Sequence, residues 1–255
     1  MRVFSDKNIV HVDQEASPKK DIEVIKTELI LADLQTMQKR LPRVEKELKA
    51  NPKLAPLAEI YRHITQALDN GHPAASVPNI NPEHIQDLHL LTAKPVLYVF
   101  NVDESDLLDQ AKQISLSSLV APSPALFICA KLESELNGLD KTECRELLLT
   151  YGQQQSGLVQ LIQATYDLLG LQSFLTAGAK EVRAWTIKKG STAPQAAGAI
   201  HTDFERGFIA AEVVDYNDLI SAGSLTAAKS AGKVRTEGKG YIMKPNDVVE
   251  FKFNV

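Results

Sequence analysis

Two short segments carry the residue types best suited to reading a small ligand: Asn101-Val102-Asp103-Glu104 and Cys129-Ala130-Lys131-Leu132-Glu133. A carboxamide both donates and accepts hydrogen bonds, which suits the edge of a purine, and a small residue followed by a backbone N–H lets a flat base approach closely. Each segment closes an apolar run, residues 95–100 in the first case and 125–128 in the second. Continuous apolar runs that end in small or polar residues are the pattern of parallel strands buried on both faces. In an open α/β sheet, ligands bind outside the carboxyl ends of such strands. The expectation is therefore that 101–104 and 130–132 lie side by side over one pocket, although two ordinary strand-to-loop turns would use the same residues.

Other reactive side chains offer less. His84 and His89 are five apart on a short helix expected over 80–92, begun by Asn81-Pro82, and that spacing does not put both on one helical face as metal ligands require. Cys129 and Cys144 have neither disulfide nor metal spacing, and Cys129, inside an apolar run, reads as a small buried hydrophobe. His201 and Asp203 share no helix face and have no nucleophile beside them, which points to structural hydrogen bonding. No catalytic residue and no metal ligand set follows from the sequence.

The elements that must position the two segments are legible from hydrophobic period. Residues 2–12 read as two short strands about a turn. From 21 onward Ile30, Leu34, Met37, Leu41, Val44 and Leu48 recur at alternating spacings of four and three, a heptad seam. Asn51-Pro52 breaks it, and Leu57, Ile60, Ile64 and Leu68 form a second stripe before Asn70-Gly71, so the two predict an antiparallel helical hairpin. Pro42 lies inside the first stripe, where loss of a backbone hydrogen bond costs roughly 3 kcal/mol, and predicts a kink or break near Arg40. Further helices are expected over 106–114, 141–151 and 156–169, the last striped by Leu158, Ile162, Tyr166 and Leu169 and stopped by Gly170; 171–178 then reads as a linker. Alternation over 181–187 predicts a strand, Gly190 a turn, and Ser191 or Thr192 before Pro194 a helix start. Residues 241–255 read as two β-rich runs joined by a Lys-Pro-Asn-Asp turn, ending flush with the last residue.

Composition sets outer bounds. At 255 residues, 44% hydrophobic and 24% charged, the chain has the make-up of a soluble globular protein of one large domain or two to three small ones. Its longest apolar runs fall far short of the roughly 20 residues of a membrane span, and no signal-peptide core opens the sequence, so a cytoplasmic protein without membrane contact is expected. The net charge of −4 is uneven: residues 176–255 carry +2 and the remainder −6. Arg183, Lys188, Lys189, Arg206, Lys229, Lys233, Arg235 and Lys239 can supply phosphate contacts to RNA or a ribosome. Scattered surface cations explain them equally well, and no aromatic stacking motif accompanies them. The cations on the helical hairpin likewise fit an RNA-facing surface or a solvated helix face.

Residues 177–187, Ala193-Pro194-Gln195-Ala196-Ala197-Gly198, residues 200–209 and the Phe253-Asn254-Val255 terminus resemble the TGS domain of the YchF, or Obg-like ATPase, family of translation-factor-related P-loop NTPases. Residues 21–29 resemble the start of that family's helical arm. The resemblance implies an Asn-x-x-Glu base-recognition motif in place of the Asn-Lys-x-Asp of true GTPases, met here by Asn101, Val102, Asp103 and Glu104. It also implies a second base-contacting loop at Cys129, Ala130 and Lys131. Without the Lys stem that covers guanine, ATP is implied at least as readily as GTP, with Mg²⁺ in the full-length family.

No Gly-x-x-x-x-Gly-Lys-Ser/Thr segment occurs in these residues, so none of them cradles β- and γ-phosphates or ligates Mg²⁺. The chain looks like a family member lacking the front of its nucleotide domain. The expected architecture is α/β: an incomplete P-loop NTPase-type parallel sheet (1–20 and 94–171), a coiled-coil-like helical insertion (21–93) and a β-grasp-like TGS domain (172–255). Two functions are expected: the purine-reading, arm and TGS part of a nucleotide-controlled switch on ribosomes that does not hydrolyse by itself, or a non-catalytic RNA- or ribosome-binding module built from the arm and the TGS domain.

Overall fold

The structure, a computed structural model, describes residues 1–4, 17–178 and 181–254. The chain divides into two compact units, Met1–Ile162 and Gln163–Val255. The turn and second strand expected over 6–12, Lys180, and the terminal Val255 lie outside the described residues. No helix among those described is long and apolar enough to cross a membrane.

In the first unit, α1 (Pro18–Leu48) and α2 (Ala55–Asp69) carry the two stripes, and Ile30, Met37, Tyr61, Ile64 and Leu68 form their shared core. The chain stays α-helical through Pro42. Leu41 and Val44, on either side of it, both pack into that core, and burial of side chains this size offsets the lost hydrogen bond. The helix expected over 80–92 is much shorter: α3 (Pro82–Ile85), capped by the Asn81 side chain, is followed by one 3₁₀ turn that ends where His89 adopts φ 51°. A left-handed residue cannot continue a right-handed helix.

That segment is held by one buried carboxylate. Asp33, 2% exposed on α1, accepts from Leu91 N (2.8 Å), Thr92 N (2.7 Å) and Thr92 Oγ1 (2.6 Å), while Thr92 Oγ1 accepts from Ala74 N at 2.9 Å. A charged side chain is kept buried only when its lone pairs are filled in this way.

Beyond the clamp run β1 (Tyr98–Asn101), α4 (Gln110–Ser118), β2 (Ala125–Ile128), α5 (Ala130–Leu136), α6 (Lys141–Thr150) and α7 (Gly157–Leu168). β1 and β2 pair in parallel, Tyr98 opposite Ala125 and Asn101 opposite Ile128. Arg2 bridges to Asn101 in parallel on the other side of β1. Phe100, Val102, Leu116, Cys129 and Leu132 are the buried core here, with the Phe100 and Phe127 rings stacked at 5.3 Å. The stripe on α7 is largely at the surface, with Leu158, Ile162 and Leu169 more than half exposed.

Gly170, at φ 62°, ends α7, and the residues expected to be a linker form β3 (Leu171–Ala177). Gln172 and Phe174 point inward, and Gln172 Nε2 donates to Met243 O at 2.7 Å. Then come β4 (Val182–Lys188), α8 (Ala193–Ile200), α9 (Thr202–Arg206), β5 (Phe208–Asp215), α10 (Tyr216–Ala222), α11 (Leu225–Ser230), β6 (Arg235–Glu237) and β7 (Asp247–Phe253). The five strands lie in the order β4-β3-β7-β5-β6, with only β3 and β7 parallel. Thr192 and Gln195 form a reciprocal capping box at the start of α8. Phe174, Ile187, Ala211, Val213 and Val249 cluster with α8, while Leu175, Val214 and Val248 cluster with residues of α10 and α11. Because neighbouring strand residues point to opposite faces, the helices cover the sheet from both sides.

The run 241–243 is not a ladder strand; it pairs with residues 191–193 through one bridge, Thr192 to Ile242, flanked by Ala193 N to Tyr241 O (2.9 Å) and Met243 N to Ser191 O (3.0 Å). Its place is fixed by buried Asp247, whose Oδ2 accepts from Tyr241 Oη and Lys244 N, both at 2.8 Å. Burial, with the Asp247 hydrogen bond second, holds the Tyr241 phenol well above its usual range.

Asp33→Ala leaves three buried donors without an acceptor. It is expected to lower stability by about 3 kcal/mol, read as a lower urea midpoint in far-UV circular dichroism. Asp33→Asn, which keeps one acceptor oxygen, is expected to cost less.

Candidate functional site

The two segments singled out in the sequence meet at the carboxyl ends of β1 and β2. Strand pairing brings Asn101 opposite Ile128, and the chain turns from β2 into α5 at Cys129. Asn101 Oδ1 accepts from Ala130 N at 3.0 Å, across the gap between the strand ends. The amide N–H can only donate, so the oxygen of the Asn101 carboxamide must face it, leaving the NH₂ end as a donor pair that makes no bond among the described residues. The Asn101 backbone is equally committed: its N–H donates to Met1 O (2.8 Å) and its C=O accepts from Val3 N (2.9 Å).

Beside it, Lys131 Nζ lies 2.7 Å from Glu104 Oε1, joining the loop after β1 to the first turn of α5. Glu135, one turn further along α5, is 3.9 Å from the same ammonium. The hydrogen bond from Lys131 holds the Glu104 carboxyl below its ordinary value, and the same bond raises Lys131. Val102 and Cys129 are placed in the core, 1% and 4% exposed, and the Val102 N–H is spent on Ile128 O at 2.9 Å. Of the expected base-reading residues, Asn101, Glu104 and Lys131 therefore present polar side-chain groups at the strand ends, the Ala130 N–H is spent on Asn101, and Val102 and Cys129 hold the loops by packing.

One residue that sequence reasoning did not single out completes the arrangement. Glu133 Oε1 accepts from Gly157 N at 2.6 Å and Oε2 from Leu158 N at 3.3 Å, capping α7 from a helix 24 residues away. A side chain at 157 would meet Ile128 Cγ2 at 2.7 Å, so glycine is required for β2, α5 and α7 to close on one another. No local pattern announces this cap, since Ser156, itself a preferred N-cap residue, also accepts from Val159 N at 3.3 Å.

The basic residues of the second unit are not gathered. Arg183 stacks on Trp185 at 4.1 Å and lies 3.9 Å from Glu181. Lys189 pairs with Asp167 (2.6 Å), Lys229 with Glu212 (2.8 Å), Lys233 with Asp218 (3.2 Å) and Arg235 with Glu237 (3.5 Å). Among the described residues Lys188 and Arg206 carry no ion pair. Arg183 and Lys188 sit on opposite faces of β4, and Arg235 is on β6 at the far edge, about 19 Å away over four strand spacings.

His201 Nδ1 accepts from Asp203 N at 3.2 Å, a cap on α9. No group of three or more His, Cys, Asp or Glu among the described residues could hold a metal ion. The strand ends thus gather a carboxamide NH₂, a carboxylate and an ammonium group within one short stretch of surface.

Comparison with known proteins places this arrangement in context. Residues 171–254 match the family model YchF-GTPase_C, described as "Protein of unknown function (DUF933)". Over its whole length the chain is 46% identical to the ribosome-binding ATPase YchF of Bacillus subtilis and 43% identical to that of Escherichia coli O157:H7, covering 72% of each. The structure of the Schizosaccharomyces pombe YchF GTPase superposes with a TM-score of 0.78 at 33% identity, over 98% of this chain and 70% of that one.

The Glu104 carboxyl is depressed relative to the unfolded chain, so whatever the Lys131 pair contributes to stability is present above the ordinary glutamate pKa and is lost as pH falls through the depressed value. An NMR titration of the Glu104 carboxyl carbon is expected to give a midpoint below the ordinary one, returning toward it in Lys131→Ala. Asn101→Ala removes the bond to Ala130 N and is expected to lower stability by about 1 kcal/mol, with accelerated hydrogen exchange at the Ala130 amide.

Proposed function

The chain belongs to the YchF family, and we propose that it supplies the purine-reading, helical-arm and TGS parts of an ATP- or GTP-binding switch that works on ribosomes. The observation that carries this reading is the Asn101 Oδ1 to Ala130 N bond, which ties the loops after β1 and β2 together and turns the carboxamide NH₂ outward beside Glu104 and Lys131. An outward NH₂ donates to an acceptor nitrogen on a purine edge, and Glu104 accepts from an exocyclic amine or ring N–H. The names of the relatives, ribosome-binding ATPase and GTPase, support the nucleotide, the ribosome as partner and hence the cytoplasm.

In this reading residues 1–20 and 94–171 belong to the nucleotide domain as parts of an incomplete P-loop NTPase-type sheet. Residues 21–93 are the arm, and 172–255 are a β-grasp-like TGS module. These residues bind and orient a base but form no cradle for phosphates and Mg²⁺, so this chain by itself does not hydrolyse nucleotide. Glu104 is already engaged by Lys131, which weakens its claim on the two donors of guanine and favours ATP at least as much as GTP.

A second reading, a non-catalytic RNA- or ribosome-binding module, is favoured by one observation: Lys188 and Arg206 are exposed and outside the ion pairs that occupy most of their basic neighbours. The two readings separate in one set of measurements on the full 255-residue chain. The switch reading expects weak purine-nucleotide binding by equilibrium dialysis, lost in Asn101→Ala, no turnover above background, and nucleotide-dependent co-sedimentation with ribosomes. Co-sedimentation that ignores nucleotide, weakens steeply with salt and falls in Lys188→Glu/Arg206→Glu would select the module instead. Turnover above background that Asn101→Ala abolishes would sink the non-hydrolytic assignment.

A further inference from the structure

A second cleft lies at the root of the helical hairpin, wholly within the first unit and lined by α1, the loop before α3 and the segment leading into β1. Its volume, ≈ 540 Å³, is in the range of small-molecule sites. Leu29, Leu91, Val96 and Val120 line it, and among the described residues Leu91 and Val96 remain 42% and 38% exposed. Two ammonium groups border this apolar surface, Lys26 and Lys94, and neither has a carboxylate partner among the described residues. Lys26 Nζ instead stands 5.8 Å from the centre of the Tyr98 ring, which also lines the cleft. Glu23 is the one acidic lining residue, so the charged rim is net positive by one.

The walls are also fixed in advance. Asp33 locks α1 to Leu91 and Thr92, and Thr92 holds Ala74 and Ala75 through its hydroxyl (2.9 Å) and carbonyl (3.2 Å). A rigid hollow loses little conformational freedom when a ligand enters, which is the condition for small ligands to bind well. Unpaired cations beside an exposed apolar floor and an aromatic ring select a ligand with both properties. We propose that this cleft binds a small organic monoanion with a flat apolar body, its charge between Lys26 and Lys94 and its ring system against Tyr98, Leu91 and Val96. This assignment is independent of the purine-reading segments, which lie at the carboxyl end of β1, and Tyr98 opens the same strand at its other end.

The test uses the ¹⁵N-labelled 255-residue chain with naphthalene-2-carboxylate and its neutral counterpart naphthalene-2-carboxamide. The carboxylate is expected to shift amides of residues 26–30, 91–98 and 120–123 saturably. Lys26→Ala/Lys94→Ala is expected to weaken it about tenfold while leaving the carboxamide within about twofold, and Lys26→Arg/Lys94→Arg to restore it. Both lysines are exposed, so the variants fold, as an otherwise unchanged spectrum verifies. Equal affinity of carboxylate and carboxamide for the unaltered chain, no loss in the alanine variant, or shifts confined to other residues would each overturn the assignment.

Discussion

The first unit depends on Asn101, whose backbone N–H, backbone C=O and side-chain oxygen are all committed. Its N–H and C=O tie β1 to residues 1–3, and its side-chain oxygen ties β1 to the start of α5. Strands of four residues, joined beyond their own pairing only by residues 1–3 beside β1, have little to hold them. A side chain that adds a bond at the strand end compensates at the place where strands normally fray. The same bond decides which end of the carboxamide is offered to a ligand. The fold at the strand ends and the proposed base reading therefore share one rotamer.

The Asp33 clamp plays a comparable part at the hairpin. The segment 71–92 has little regular structure, and its backbone groups need partners from elsewhere. One carboxylate on α1 serves two of them, the Leu91 and Thr92 N–H groups, and the Thr92 hydroxyl that it also holds serves a third, Ala74 N. The long helix and the approach to β1 thereby move as one piece. Ala74, Leu88 and Leu90 of this segment are buried in the hairpin core, so the clamp and the packing hold it together.

Much of this was legible in the sequence, and the failures have physical causes. The stripes of α1 and α2 obey a period that burial enforces, and the Thr192 to Gln195 box is a local pattern that needs no tertiary information. β3 escapes a sequence reading because Gln172, Ser173 and Thr176 interrupt its apolar character. Gln172 is buried only because Met243 O, 71 residues away, accepts from it. Pro42 misleads in the opposite sense, since its local cost is outweighed by packing on both sides. The meeting of Asn101 with Ala130 follows from reading two apolar runs as parallel neighbours, but neither the Glu104 to Lys131 pair nor the Glu133 cap has a local signature. Nor does the sequence tell which cations are spent in ion pairs; Arg183, Lys189, Lys233 and Arg235 are, at distances of 2.6 to 3.9 Å.

The Glu104 to Lys131 pair shows why energy and consequence must be kept apart. Lys131 is 70% exposed, and an ion pair that open contributes little to stability. Its effect is on the chemistry displayed at the strand ends. With the ammonium bound, Glu104 stays ionised and remains an acceptor, and Lys131 keeps further N–H donors beside it. Together with the Asn101 NH₂, the proposed base site then displays two donors and one acceptor. Adenine's N7, N1 and 6-amino group answer that set, and so do guanine's N7, O6 and N1–H. In such a proposed reader the two purines differ through the second donor at guanine's N2: the free Glu104 oxygen takes N1–H, and the remaining acceptor is the oxygen already holding Lys131. Breaking the ion pair would free that acceptor, so in the proposed site Lys131 would weigh on the balance between ATP and GTP through Glu104 as well as through its own N–H donors.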